Sequence, residues 1–362
     1  MKIGHVTYRY KPIVGGMETY VGMLFQVFQT AGHSQHIYQV NTGMPGEEFR
    51  FVPRPPLLPK QVGYNLGLLA QAGNLASEDC LIISNPEHYL PVAWHRVTIV
   101  LCHGATWTAD ASPRRRRLRR LAAEIAFRRA RQWVFNDTFA LRELGVPQPP
   151  RTGMFSQVAP GKWFIPNCVD TARWQRTAGR ESLKTLQPIL VPRNLTPPRG
   201  VDLAIRAFAT FVRQYPETNL VVVGDIIYDN LWSFRYKMEL TRLINELDLV
   251  GKVFFLGNVP GERMADVYSS ALLTVIPTRA SEGTSLAALE SMACGTVTLA
   301  TAVEGLLDLP AEHCPPEPQA MAGAMLGLFP KRVDVGLRQQ QTVRETYNLQ
   351  NWAAAWCRVL ES

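Results

Sequence analysis

The chain has 362 residues, 46% of them hydrophobic and 19% charged, with a formal net charge of +8. That length exceeds one compact core and predicts two domains, while the ordinary composition excludes a disordered chain, a collagen-like chain and a repeat array. No run reaches the roughly 18 uncharged apolar residues of a membrane span, and the surplus of cations points to nucleotide phosphate, acidic lipid or nucleic acid as partner.

The N-terminus, Met1 to Val6, reads as a strand and not as a signal peptide: its apolar run is short and Arg9 and Lys11 follow at once. Short apolar runs then predict strands at 3–7, 36–40, 80–84, 98–102 and 132–135. Between the first two, Val21, Leu24, Phe25 and Phe28 recur at helical spacing and predict a helix over 17–30. Strand, helix, strand in alternation argues for a parallel sheet covered on both faces.

A Pro/Gly-rich stretch around 145–150 and 159–161 precedes Ile165-Pro166-Asn167-Cys168-Val169-Asp170, and a polar segment runs on to Thr185. The domain boundary is placed there. The alternation restarts with strands expected at 188–191, 220–223, 252–256, 273–276 and 297–300. Helices fit 200–215, 234–247, 261–270 and 286–294. The last segment is apolar at Trp352, Ala355, Trp356 and Leu360 and reads as an amphipathic closing helix. The expected fold class is α/β, with two Rossmann-like domains facing across a cleft. Residues 1–175 form the first domain, with a return of about 346–362, and residues 176–345 form the second. Ligands of such sheets bind beyond the carboxyl ends of the strands. The six cysteines are far apart and form no CxxC pair, which predicts reduced thiols in a cytoplasmic protein and no zinc site.

The segment from Ser281 to Gly295 is the most informative. Glu282 is followed by Gly283-Thr284-Ser285, and a helix is predicted from Leu286. Thr284 or Ser285 can cap that helix, whose free N–H groups and dipole favour a phosphate. Glu290 then lies roughly 7–8 Å along the axis. The two carboxylates can accept hydroxyl donors on either side of a bound diphosphate. Taken singly, each glutamate reads more readily as a solvated side chain.

A second segment, Pro192-Arg193-Asn194-Leu195-Thr196-Pro197-Pro198-Arg199-Gly200, sets two cations beside a proline turn. A Gly15-Gly16 pair follows the first strand, and His103 ends the strand over 98–102. With these residues the chain resembles the retaining glycosyltransferases of the GT-B fold, family 4. Glu282 and Glu290 match that family's E-x7-E motif, and Arg193 and Arg199 match its diphosphate-binding cations, although lysine is usual at the second position. Arginine makes forked contacts to phosphate where lysine acts as a point charge.

The resemblance implies that Glu282 contacts donor-sugar hydroxyls and Glu290 the ribose. It implies that Gly283, Thr284, Ser285 and Leu286 serve the sugar and phosphates, and that Gly224 of Val223-Gly224-Asp225 approaches the nucleotide. Gly15 and Gly16 would approach the donor phosphates and the acceptor, and His103 the reactive face of the sugar. The catalytic set is then His103, Glu282, Arg193 and Arg199, with no metal and no cofactor beyond the nucleotide-sugar co-substrate. The implied reaction moves a hexosyl unit to a saccharide, a glycolipid or another hydroxyl acceptor. Three departures stand out: Cys168 replaces a usual glycine, Val297 a usual proline, and Ala302-Val303-Glu304-Gly305 a more glycine-rich stretch.

A sugar-nucleotide epimerase of the same architecture is the alternative. A dinucleotide oxidoreductase would want G-x-G-x-x-G, which Gly15-Gly16 does not supply. The run Arg114–Arg120, with Leu118, Leu121, Ala122 and Ile125, reads as a basic helix. It either rests on anionic lipid at the inner membrane face or is a solvated surface. Nucleic acid is not expected, because no zinc finger or interleaved aromatic platform accompanies the run.

Overall fold

The computed structural model describes every residue except 14, 109–111, 151–152, 154 and 227–230. Val14, which precedes the glycine pair, therefore lies outside the described residues. The chain divides into two compact units, one of Met1–Pro166 with Trp352–Ser362 and one of Asn167–Asn351.

The first unit runs β1 (Lys2–Val6), α1 (Gly16–Thr30), β2 (Ser34–Val40), β3 (Phe49–Val52), α2 (Lys60–Ala70), α3 (Ala72–Ala76), β4 (Cys80–Ile83) and β5 (Thr98–Cys102). It continues with α4 (Pro113–Arg129), β6 (Gln132–Phe135), α5 (Thr138–Glu143), β7 (Ser156–Ala159) and β8 (Lys162–Phe164). Eight strands form one sheet in the order β3-β2-β1-β4-β5-β6-β8-β7. Their pairings are parallel except for the antiparallel β7–β8 pair. Inner strands such as β4 and β5 are buried along their whole length, which a sheet covered on both faces requires. On one face Leu81, Ile83, Val100 and Trp133 pack with Tyr64 and Leu68 of α2 and Ala123 and Ala126 of α4. Elsewhere in the unit, Tyr20 and Phe28 of α1 meet the indoles of the C-terminal segment.

The second unit runs α6 (Glu181–Lys184), β9 (Pro188–Pro192), α7 (Val201–Phe211), β10 (Asn219–Val223), α8 (Leu231–Glu246), β11 (Val253–Phe255), α9 (Met264–Ser270) and β12 (Leu273–Ile276). Then follow α10 (Leu286–Ala293), β13 (Thr298–Thr301), β14 (Glu312–Cys314), α11 (Pro318–Leu328) and α12 (Arg332–Thr346). A last helix, α13 (Leu349–Glu361), takes the chain back to the first unit from Trp352 onward. The second sheet has the order β11-β10-β9-β12-β13-β14 and is parallel throughout. Alternate residues of its strands enter two cores. Ile189, Val191, Leu220 and Val222 pack with α7, α8 and α11, while Leu190, Val221 and Val223 pack with α10. The α/β class with two parallel-sheet units is as expected. Among the described residues no helix is long and apolar enough to cross a membrane.

Candidate functional site

Arg193, Gly224 and the turn over 282–286 follow the carboxyl ends of the parallel strands β9, β10 and β12, while Glu290 lies inside α10. Arg193 follows β9, which stops at Pro192 because proline has no N–H for the ladder. The chain then turns through Pro197–Arg199 to Gly200, whose φ is 68°. A Cβ there would sit 1.8 Å from the carbonyl oxygen of Pro277. Only glycine fits that left-handed close approach. Gly224, after β10, has φ 133° and would place a Cβ 2.5 Å from the carbonyl oxygen of Arg193. Its role in this unit is thus to let the β10 end lie against the Arg193 backbone.

These turns deliver two guanidinium groups to one carboxylate. Arg193 Nη1 lies 3.4 Å from Glu282 Oε1, and Arg199 Nη1 pairs with Glu282 Oε2. Arg193 Nη2 donates to Ser285 Oγ at 3.1 Å. Arg193 and Glu282 are each 8% exposed. Burial lowers Arg193 to about 10, and burial with the neighbouring Arg193 charge lowers Arg199 to about 9. Both remain protonated at neutral pH. Two guanidinium groups thus share the Glu282 carboxylate, and a phosphate group would offer both of them further charged acceptors.

Ser285 occupies the N-cap position of α10, yet its side chain makes no capping hydrogen bond. Its Oγ serves Arg193 instead. Thr284 does not cap the helix either: its Oγ1 accepts from the backbone N–H of Asn167 at 2.8 Å, and its carbonyl accepts from Asn167 Nδ2. The expected side-chain cap is therefore not formed, and the first N–H groups of α10 are left to face an anion. Gly283 is partly buried in the same turn and Leu286 opens the helix.

Glu290 stands further along α10 and accepts from the Tyr268 hydroxyl at 3.0 Å. Burial raises its carboxyl to about 7, opposed by the Tyr268 hydrogen bond and the Arg173 charge. The structure thus brings Arg193, Arg199, Glu282 and Ser285 into direct contact, with Glu290 on the same helix and Gly224 behind Arg193.

Three participants escaped the sequence reading. Asn167 belongs to the quoted Ile165–Asp170 segment, but only the fold reveals that it pins the Thr284 turn. Tyr268, on α9, had no signal. Glu304 is the third: its Oε2 accepts from the Glu282 N–H at 3.0 Å while the Glu282 carbonyl accepts from the Gly305 N–H at 3.0 Å. Glu304 has φ 44°, a conformation that costs a non-glycine residue about 1 kcal/mol. The departure at 302–305 thus clamps the backbone of the glutamate it follows.

The remaining candidates belong to the first unit. Gly15 is the extended N-cap of α1 and Gly16 its exposed first residue. His103 follows β5. Its Nδ1 lies 3.4 Å from the Asn136 side-chain amide, and its Nε2 is a buried atom with no hydrogen-bond partner among the described residues. Tyr20 packs edge-on against the ring at 4.5 Å. Burial lowers His103 to about 4, so at neutral pH it is an uncharged N–H donor.

Residues 178–314 match the family described as glycosyl transferases group 1. Over 122 residues the chain is 34% identical to a D-inositol 3-phosphate glycosyltransferase of Acidothermus cellulolyticus, covering 33% of this chain and 26% of that protein. Over 135 residues it is 33% identical to a D-inositol 3-phosphate glycosyltransferase of Streptomyces coelicolor, covering 36% and 29%. The chain thus spans less than a third of the length of these curated relatives. Among solved structures, sucrose-phosphate synthase of Thermosynechococcus elongatus superposes with a TM-score of 0.83 at 18% identity, over 99% of this chain and 98% of that one. Anabaena HepE, solved in complex with UDP and glucose, superposes with a TM-score of 0.78 at 16% identity over 100% of both chains. At such identities the likeness shows the fold, which is that of the GT-B glycosyltransferases.

Proposed function

We propose, from the match of residues 178–314 to the glycosyl transferases group 1 family, that the chain is a retaining hexosyltransferase using a nucleoside-diphosphate sugar. Arg193 and Arg199 hold the diphosphate, together with the uncapped N-terminus of α10 at Gly283, Thr284, Ser285 and Leu286. Glu282 accepts hydroxyls of the sugar and Glu290 those of the ribose. Gly224 lets the end of β10 close on the Arg193 backbone, and the nucleotide approaches beside it. The first unit binds a saccharide, lipid-linked or other hydroxyl acceptor through Gly16 and His103, with Gly15 allowing close backbone approach.

In the transfer, the bond from anomeric carbon to phosphate oxygen breaks and a bond to the acceptor oxygen forms on the same face. The departing diphosphate takes the acceptor proton. The charge developing on that diphosphate meets two fixed guanidinium groups, so the protein itself supplies the stabilisation a metal ion would give. The single observation that carries this reading is the pair Arg193 and Arg199 gathered on Glu282 beside an uncapped helix. Support for the donor class comes from HepE, whose structure holds UDP and glucose.

The test screens UDP-, GDP- and ADP-sugars for thermal stabilisation and assays products with the best of them. Saturation at a hundredfold excess over Kd adds about 2.7 kcal/mol to the unfolding free energy. Arg199→Ala should abolish that gain, and Glu282→Gln should keep binding while losing transfer at least a hundredfold. A change in the free sugar nucleotide without transfer would favour epimerisation. Failure of all three donor classes, or Arg199→Ala binding like the wild type, would overturn the assignment.

A further inference from the structure

Helix α4 begins with the arginine run, and the structure shows which way it faces. Ala123 and Ala126 are its buried residues. Arg114, Arg115 and Arg117 are exposed, and among them Leu118 and Leu121 stand 66% and 51% exposed. Arg119 and Arg120 differ from the others: they reach Glu87 at 3.7 Å, Glu124 at 3.1 Å and Glu143 at 3.6 Å. The first two and a half turns of α4 therefore carry outward cations with leucines between them.

Helix α2 covers the same face of the sheet, because Tyr64 and Leu68 share one core with Ala123 and Ala126. It turns Gly63, Tyr64, Gly67 and Leu68 inward, which leaves Val62, Leu66 and Leu69 half exposed on its outer side. The segment between β4 and β5 ties the two helices together. Asn65 Nδ2 donates to the Glu87 carbonyl at 2.8 Å, and Asn65 Oδ1 lies 2.6 Å from His88 Nδ1. On the other side Glu87 Oε1 accepts from Thr106 Oγ1 at 2.9 Å and pairs with Arg119. That segment adds Leu90 and Trp94, each 49% exposed, with the Trp94 indole N–H donating to the Pro91 carbonyl.

We propose that this outer face of α2, the Leu90–Trp94 turn and α4 is a docking surface for an anionic lipid bilayer, on which the protein lies without crossing it. Two independent observations support that occupant. Outward cations complement an anionic surface, and each contributes about fivefold to partitioning. Outward aliphatic residues and an indole beside them suit the boundary of headgroup and acyl chain, where a nucleic acid would offer them nothing. The inference goes beyond the transfer reaction and holds whatever donor or acceptor the protein uses.

The test sediments the full chain with vesicles of phosphatidylcholine alone and with phosphatidylcholine containing phosphatidylglycerol. Binding is expected only to the anionic vesicles. Arg114→Gln with Arg115→Gln and Arg117→Gln should lower partitioning on the order of a hundredfold. Leu66→Ser with Leu69→Ser should lower it roughly tenfold, and both variants should retain the wild-type melting temperature. A measurement on the intact surface stands beside these: acyl-brominated anionic vesicles should quench wild-type fluorescence more than that of Trp94→Phe. Equal binding to both vesicle types, an apolar variant that binds like the wild type, or equal quenching would each overturn the proposal.

Discussion

At the scale of single residues, Glu290 carries the clearest pH signature. Its carboxyl is ordinarily at 4.5 and rises to about 7 in the fold, chiefly because burial disfavours the anion. A carboxyl raised on folding adds no penalty below 4.5, a growing one between 4.5 and 7, and a constant one above. We therefore expect Glu290→Gln to gain stability relative to the wild type as pH climbs through that window, read by urea unfolding at each pH. If Glu290 accepts ribose hydroxyls, nucleotide affinity should also tighten from about pH 6 to 8 in the wild type and stay level in Glu290→Gln. Isothermal titration would show this, and a pH-independent wild type would exclude the ribose role. Glu304 gives a second expectation. Glu304→Gly removes the left-handed strain but also the carboxylate on the Glu282 N–H. Stability should change by less than about 1 kcal/mol, while kcat falls severalfold because Glu282 is less firmly aimed. Arg193, Arg199 and Glu282 could be singled out because each belongs to a segment resembling a family motif, but that both guanidinium groups meet on the Glu282 carboxylate only the fold shows. Glu304 could be noticed only as a departure, since a carboxylate folded back onto a distant backbone N–H leaves no local pattern.

At the scale of elements, the strands that build the two sheet interiors were read within a few residues, because apolar runs buried on both faces leave a continuous signal. The missed elements have physical reasons. Helix α2 hides its glycines and shows its aliphatic residues, so its apolar positions do not mark the buried side. Helix α12 is rich in polar residues, and one of them takes a core position: Gln339 accepts from the Thr298 N–H at 2.8 Å and donates to the Thr298 carbonyl at 3.0 Å. An amide there pairs with the strand backbone as a neighbouring residue would, which no hydrophobic period records. Strands β3 and β14 read Phe-Arg-Phe-Val and Glu-His-Cys, so neither presents the continuous apolar run that marked the other strands. The turn between β9 and α7 offers a sharp test at this scale. With Pro277 pressed against Gly200, Gly200→Ala should cost about 2–4 kcal/mol and displace Arg199, so thermal unfolding and donor binding should fail together.

At the scale of the whole molecule, the sequence foresaw two α/β units because the alternation of strand and helix stops at a polar stretch and begins again. The closing helix was legible as amphipathic. Trp352 and Trp356 are fully buried in the unit that begins at Met1. The Trp356 indole N–H donates to the Tyr20 hydroxyl at 3.1 Å, and the Tyr20 ring packs on His103 on its other side. We expect Trp356→Ala to cost about 3–5 kcal/mol by urea unfolding and to disturb the His103 ring through Tyr20.

The same arrangement has a consequence for how the protein is made. A growing chain emerges from the ribosome N-terminus first, yet the first sheet lacks its last aromatic cover until residues 352–362 have followed the whole of Asn167–Asn351 into solution. The second unit, contiguous in sequence, completes its own core earlier. The half that is synthesised first is thus the half that matures last, holding Tyr20 and Phe28 open to water in the interval, and a nascent chain stalled before Trp352 should expose them to proteases and chaperones.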